Sequence, residues 1–221
     1  VLLQLGNAFL MLLGSSILAL CLSFLLHAGA VQPQEVVDRI AVRVENDIIL
    51  LSDVRNLAAY QLLVQGKRES EAQLLDRLID QWIVRTEAEA SGYRRPTREE
   101  VDAEIEKLKM ESAAGKSLDL RLKESGLSEG DFRRLIEAQI YLTGYLDSRF
   151  RPAVQVDAKA VEEYYQNTVV RLAREKGESP PWLESLRAHI RELLIQRGIN
   201  EQADRWLKER RSRLHVEKVL V

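Results

Sequence analysis

The pattern of apolar and polar positions is strand-like in two adjacent stretches near the start of the charged part of the chain. Residues 37–45 alternate, with Ile40, Val42 and Val44 on one face, which predicts a half-buried strand. The Glu-Asn-Asp segment at its end favours a tight turn, because Asn and Asp tolerate left-handed backbone. Residues 48–51 predict a short return strand, so the pattern indicates a β-hairpin.

Helical spacing dominates the chain after this hairpin. Apolar residues recur every three or four positions over long segments, and such a period predicts amphipathic helices. Glycine or proline lies at most of the segment ends, as expected where helices stop. The predicted helices occupy residues 53–65, 71–91, 98–110, 118–125, 129–151, 158–176, 182–196 and 200–213.

Several polar residues and one glycine mark the expected helix ends. Ser52 is in position to cap the first helix. Thr97 and Glu100 have the spacing of a capping box, in which each side chain accepts from the other residue's backbone N–H. Near the C-terminus, Gly198 is expected to end one helix and Asn200 to cap the next.

The last eight residues, LHVEKVLV, return to a strand-like composition. A lone hairpin is at best marginally stable in water, so the N-terminal hairpin needs a partner. Residues 214–221 are the only other predicted strand. We therefore expect a mainly α fold, a multi-helix core with a small antiparallel sheet that pairs the N-terminal hairpin with the C-terminal strand.

A long uncharged leader precedes this body, since the first charged residue of the chain is Glu35. The leader contains HAGA, in which Ala28 and Ala30 match the small-residue pattern of signal cleavage, so cleavage before Val31 is expected. The same apolar run exceeds the roughly 20 residues that span a bilayer, so a retained inner-membrane anchor is the alternative. Residues 1–30 are thus interpreted as a signal peptide or an anchor.

The charges of the remaining domain, residues 31–221, are mixed in sign, and the net charge of the chain is −2. No block of basic residues stands out, so a nucleic-acid surface is not expected. Cys21 is the only cysteine and lies in the leader. After cleavage the protein would contain no thiol, which excludes disulfides, cysteine zinc ligands and a cysteine nucleophile.

The search for catalytic chemistry is negative. The chain has three histidines, His27, His189 and His215, and none has a second histidine or a cysteine at metal-ligand spacing. No phosphate-binding, dinucleotide-binding, serine-hydrolase or zinc-protease motif occurs. Adjacent carboxylates such as Glu99 and Glu100 suit a solvated helix face. We therefore assign no catalytic residue, no metal ligand and no cofactor.

Five large rings near the middle of the chain are candidates for peptide binding. Packing between helices is the usual use of such rings. The alternative is a groove that holds apolar peptide segments. The five residues are Tyr141, Tyr145, Tyr164, Tyr165 and Trp182.

Three segments together resemble the chaperone core of the SurA family of periplasmic proteins. The first is VVDRIAVRVENDIILLSDV, residues 36–54. The second is LLDRLIDQWIVRTEAEASGYRRPTREEVDAEIEKL, residues 74–108, and the third is WLKERRSRLHVEKVLV, residues 206–221. The resemblance implies one helical chaperone domain in which the terminal strand joins the N-terminal hairpin. It also implies binding of unfolded outer-membrane protein chains in transit through the periplasm, without a cofactor.

The chain departs from that family at one place. Members usually carry a parvulin-type prolyl isomerase domain after a segment that resembles VDAKAVEEYYQNT, residues 156–168. Here only a short connection, residues 169–185, precedes the closing helices, and it contains no histidine and no Gly-rich loop. We therefore expect an exported, ATP-independent chaperone that is not an enzyme. The alternatives are a reduced prolyl isomerase and a membrane-anchored interaction protein.

Overall fold

Three short strands form one antiparallel sheet in which β1 is central. In the computed structural model, which describes residues 38–111 and 116–219, β1 spans Ile40–Val44, β2 spans Asp47–Leu50 and β3 spans Val216–Lys218. The strand order is β2–β1–β3, so the C-terminal strand pairs with the first strand of the hairpin. The predicted pairing of the two ends is confirmed.

Hydrogen bonds extend the pairing of β1 and β3 beyond the strands themselves. The Glu45 N–H donates to the His215 carbonyl oxygen at 3.0 Å, and the Val219 N–H donates to the Ala41 carbonyl oxygen at 2.9 Å. The Glu45 carboxylate also accepts from the His215 N–H at 2.8 Å. Within the described residues, the regular strand begins two residues later than predicted and ends at Lys218, and residues 220–221 of the predicted strand lie outside the described residues.

The hairpin turn differs from its prediction in one residue. The left-handed position is Glu45, with φ of 52°, rather than Asn46 or Asp47. A left-handed glutamate is unfavourable by itself. Its two hydrogen bonds to His215 offset that cost, because they form only when β3 is in place. A tertiary contact thus decides the turn geometry.

The helices follow the predicted order. The capping box is confirmed, since Glu100 N–H donates to Thr97 Oγ1 at 3.3 Å and Thr97 N–H donates to the Glu100 carboxylate at 2.8 Å. The helices are α1 Leu51–Gln65, α2 Glu71–Ala90, α3 Arg98–Glu111, α4 Leu118–Ser125, α5 Glu129–Phe150, α6 Ala158–Tyr164, α7 Arg171–Glu175 and α8 Leu183–Arg211. A 3₁₀ turn, Arg151–Ala153, follows α5, and a π-helical stretch, Tyr165–Val170, joins α6 to α7.

The first helix begins earlier than predicted. Its N-cap is Leu50, not Ser52, so α1 follows β2 without a loop. Two carboxylates replace the expected serine cap. Asp53 accepts from the Leu50 N–H at 2.8 Å, and Asp38 accepts from the Ser52 N–H at 3.3 Å. A carboxylate is favourable at this position because the helix dipole is positive there.

The predicted break at Gly198 is wrong, because α8 runs through it without interruption and Asn200 caps nothing. Gly198 serves close packing instead. A Cβ atom built on it would lie 2.6 Å from Val154 Cγ1 and 3.2 Å from Val154 Cγ2. The glycine lets α8 approach the chain that follows α5, and the sequence pattern around it contains no sign of that neighbour.

Three apolar clusters stabilise the helices. The largest joins the sheet to α1, α2 and α5 and includes Trp206 of α8. The second packs the C-terminal half of α1 against α3, α4 and the first half of α5. The third joins α6 and the π-helical stretch to the first half of α8. Because α1 and α5 contribute to both of the first two clusters, they are the central helices.

Ion pairs join the C-terminal segment to α2. Arg211 contacts the Asp76 carboxylate at 3.2 Å and the Asp80 carboxylate at 2.5 Å. Lys218 of β3 contacts Asp76 at 3.0 Å, and Arg210 contacts Glu87 at 3.0 Å. These side chains are one quarter to one half exposed, so each pair is worth no more than about 1 kcal/mol. Together they orient the end of the chain against α2.

Deleting residues 214–221 is expected to lower the free energy of unfolding by about 3 kcal/mol, because several backbone hydrogen bonds are lost at about 1 kcal/mol each. Chemical denaturation measures this change. The matched control is Glu217→Gln, which removes only the exposed pair with Arg43 and should change stability by less than about 1 kcal/mol. An unchanged denaturation midpoint after the deletion would contradict the structural role of β3.

Gly198→Ala is expected to destabilise the protein by about 1 kcal/mol. The clash with Val154 costs about 1–3 kcal/mol. Replacing a glycine inside a helix by alanine stabilises the fold by up to about 1 kcal/mol, which offsets part of that cost. Gly130→Ala is the control, because its Cβ would meet no atom closer than 3.9 Å, and it should stabilise. Adding Val154→Ala to Gly198→Ala should relieve the clash. Equal stabilisation by both single alanine variants would show that Val154 does not restrict position 198.

Candidate functional site

A cleft of about 390 Å³ lies between β2, α1, α2 and α5, and we call it the hairpin cleft. The terminal sheet and the central helices bring these four elements together. Its apolar lining residues are Ile48, Ile49, Leu78, Trp82, Leu135, Ala138, Tyr141 and Leu142. Its polar lining residues are Asp53, Asn56, Gln81, Arg85, Arg95, Asp131, Arg134 and Glu137.

Helical spacing explains why these side chains meet. Leu78 and Trp82 lie four residues apart on α2, and Leu135, Ala138 and Leu142 are three and four residues apart on α5. Residues at these spacings share one helix face. Ala138 is exposed in the middle of its face, and its small side chain leaves room where a larger residue would fill the cleft.

Trp82 fixes one wall of the cleft. Its indole N–H donates to the Asp47 carboxylate at 2.7 Å, which ties α2 to the start of β2. The ring itself is nine-tenths buried in the largest apolar cluster. Ile48, which follows Asp47 in β2, is 52% exposed and presents an apolar side chain at the mouth of the cleft.

Tyr141 forms the opposite wall. Its hydroxyl donates to the Tyr93 carbonyl oxygen at 3.4 Å, and the Arg95 guanidinium lies 5.5 Å from the centre of its ring. Burial raises the pKa of the Tyr141 phenol, and the nearby Glu89 carboxylate raises it further. The phenol is therefore neutral at neutral pH, and the wall acts as an aromatic surface with a polar edge.

The charges around the hairpin cleft balance one another. Three arginines and three carboxylates line it. Arg134 pairs with Asp131 beside it, and Arg95 pairs with Glu89 at 2.6 Å. No single sign of charge dominates, so the cleft favours apolar side chains over a charged ligand.

The structure separates the five predicted peptide-binding rings into different regions. Tyr141 lines the hairpin cleft. Tyr145 is buried one turn further along α5, where its hydroxyl accepts from Arg149 at 3.0 Å. Tyr164 and Tyr165 pack in the third apolar cluster, and the Tyr165 hydroxyl donates to the Pro181 carbonyl oxygen at 2.8 Å. Trp182, at the start of α8, is 75% exposed.

Sequence reasoning missed most of the cleft lining as a possible site. Leu78, Trp82 and Leu135 belong to the apolar stripes that predicted the helices. The stripe on α2 also contains fully buried residues such as Ile79. The helical period of apolar residues does not distinguish such buried residues from their partly exposed neighbours. The one sequence signal for the cleft is Ile48, an apolar residue directly after the hairpin turn, and the structure shows that it is exposed.

Two other kinds of site are absent from the described residues. In residues 38–111 and 116–219, no three histidine, cysteine or acidic side chains come together in a way that could hold a metal ion. Within the same ranges no helix combines the length and the apolar character needed to cross a bilayer. The predicted cleavage residues Ala28, Ala30 and Val31 lie outside the described residues.

No protein-family model matches the chain, and no curated protein shows significant similarity to it. The resemblance to the SurA family therefore stays a prediction from the three quoted segments. The fold and the hairpin cleft rest on the residues of this chain alone.

Proposed function

We propose that the chain is an exported, ATP-independent chaperone that binds unfolded outer-membrane protein chains in the periplasm. The observation that carries this proposal is the hairpin cleft, with its apolar floor and charge-balanced rim. The order of the SurA-like segments along the chain also supports it.

The size of the cleft sets the mode of binding. Ligand pockets commonly enclose about 300–1,000 Å³. At about 390 Å³, the hairpin cleft is at the small end of that range and suits one or two apolar or aromatic side chains of an extended client. Such a contact is weak by itself, because ordering a flexible client costs free energy. Weak contacts at several points retain a client and still release it as it folds.

Charged outer faces explain how a complex with an apolar client stays soluble. Salt-bridged pairs cover the surfaces of α3 and α8, for example Arg98 with Asp102 and Arg197 with Glu201. Charged side chains of both signs keep such surfaces hydrated. The chain therefore combines a small apolar cleft with surfaces that resist aggregation.

Filling the cleft tests the proposal. Ala138→Trp places a large ring in the hairpin cleft from an exposed position, so the fold should be unaffected. The control Ala103→Trp makes the same change at an exposed position of α3 that lines no cleft. We expect the native chain and Ala103→Trp to suppress aggregation of an unfolded outer-membrane protein at molar excess. We expect Ala138→Trp to suppress it several-fold less, as measured by light scattering.

Two outcomes of that experiment would contradict the proposal. If the native chain gives no suppression at molar excess, the chaperone function is wrong. If Ala138→Trp suppresses as well as the control, the hairpin cleft is not the binding site. A companion assay of proline-limited refolding addresses the enzymatic alternative. The connection at residues 169–185 folds as the end of the π-helical stretch, α7, a loop and the first three residues of α8, and we expect no acceleration.

We also propose that export uses residues 1–30 as a cleaved signal peptide. The support is the match of Ala28 and Ala30 to the cleavage pattern. Sequencing the N-terminus of the exported protein is expected to give Val31 as the first residue. A mature protein that retains the leader would instead favour the inner-membrane anchor.

A further inference from the structure

A second cleft, of about 620 Å³, lies on another face of α1, and we call it the arginine cleft. It is bounded by the residue before β1, by α1, by the start of α2 and by the end of α4. The α1 residues Ala58 and Leu62 line it, whereas Asp53 and Asn56 of the same helix line the hairpin cleft. The two clefts therefore share α1 and α2 but no lining residue.

The floor of the arginine cleft is apolar. Leu62 is 51% exposed, which is unusual for a leucine on a central helix. The apolar residues that line the arginine cleft are Leu51, Val54, Ala58, Ala59, Leu62 and Leu74. An exposed leucine surrounded by small and aliphatic side chains can receive an apolar side chain of a partner.

Three arginines line this floor, namely Arg39, Arg55 and Arg68. Among the described residues, none of the three guanidinium groups has a carboxylate within the 4.0 Å that defines an ion pair. Arginines elsewhere are commonly paired, as Arg77 is with Glu69. Arginines without a carboxylate partner among the described residues also occur elsewhere, including Arg85 in the hairpin cleft, but here three of them line one apolar cleft.

The acidic groups near the arginine cleft are already engaged. Glu69 accepts from Arg77 at 2.8 Å and from the Gln61 amide at 2.8 Å, and these bonds lower its pKa to about 2. Asp38 accepts from the backbone N–H groups of Arg39 and Ser52.

Glu71, the remaining carboxylate of the lining, lies in the first turn of α2, where the helix dipole favours it. Asp38 lies close enough to Arg55 for their charges to interact. None of the three guanidinium groups is held in an ion pair by a carboxylate of the described residues, so all three can bind external carboxylates.

We propose that the arginine cleft binds an acidic peptide segment that also carries apolar side chains. Carboxylates of the segment pair with Arg39, Arg55 and Arg68, and an apolar side chain covers Leu62. This binding is independent of the hairpin cleft and of the proposed chaperone function.

The distribution of charge favours a peptide over a lipid surface. The three arginines come from three different parts of the chain, which are the residue before β1, α1 and the loop before α2. Such a spread matches carboxylates spaced along an extended chain better than one compact headgroup. Glu69 and Glu71 also line the cleft, so its charge is not uniformly positive, as contact with a continuous anionic membrane surface would require.

The test measures binding of a fluorescent peptide of alternating Glu and Leu to the full chain by fluorescence anisotropy. Matched peptides replace every Glu by Lys or by Gln. We expect the acidic peptide to bind more tightly than both. Its affinity should fall as ionic strength rises to about 1 M, where the Debye length is about 3 Å. The salt series needs no variant, so it does not depend on the folding of one.

Variants locate the binding site. The triple variant Arg39→Gln, Arg55→Gln, Arg68→Gln should weaken binding about tenfold, as expected for three exposed ion pairs. The control removes the same charge from exposed arginines outside both clefts, in Arg174→Gln, Arg191→Gln, Arg205→Gln. This control should bind like the native chain.

Two variants that keep all three arginines distinguish binding at the arginine cleft from binding at the hairpin cleft. Leu62→Glu should also weaken binding, because it removes the exposed apolar contact and repels the peptide. Ala138→Trp lies in the hairpin cleft and should leave binding of the acidic peptide unchanged.

Four outcomes would overturn the proposal. They are no binding of the acidic peptide, equal binding of the Lys peptide, equal loss in both triple variants, and full binding by the cleft triple variant. Vesicles containing phosphatidylglycerol provide the competing ligand. If the chain binds them through the three arginines and does not bind the peptide, the site is a membrane contact and the peptide proposal is wrong.

Discussion

The fold depends on the pairing of the chain's two ends. β1 lies between β2 and β3, and its inward residues Val42 and Val44 are fully buried. Without β3, the polar backbone of β1 would lie at an open edge, and the remaining hairpin would be only marginally stable. The same pairing holds Glu45 in its left-handed conformation. A contact between residues more than 150 positions apart therefore determines the shape of a local turn.

The position of α1 follows from this sheet, because α1 begins directly after β2 with no intervening loop. Asp38 and Asp53 hold its first turn through backbone N–H groups. At its other end, the buried Gln61 donates to Glu69 and accepts from the Glu69 backbone N–H at 3.0 Å. A buried amide that is satisfied in this way fixes the loop between α1 and α2. Both clefts are built against α1, so both depend on the terminal sheet.

Much of the fold could be predicted from local pattern, and the failures have one common cause. The capping box at Thr97 and Glu100 is local, so four residues of sequence are enough to find it. Gly198 was misread because its role is set by Val154, which is distant in sequence. The candidate site was less predictable than the fold. Apolar stripes identified Leu78 and Trp82 as inward-facing, but a cleft is a gap between helices, and no helical period records where packing is incomplete.

The two clefts differ in the way their charges are used, and this difference carries their proposed roles. In the hairpin cleft, two of the three arginines, Arg95 and Arg134, are paired with acidic neighbours, so apolar area dominates what it can bind. In the arginine cleft, the nearby carboxylates are engaged by Arg77, by Gln61 and by backbone N–H groups. Unpaired guanidinium groups attract an acidic chain over a distance and orient it, which apolar contacts cannot do. The engagement of Glu69 by Arg77 therefore stabilises the loop before α2 and also keeps one carboxylate from neutralising the arginines of the adjacent cleft.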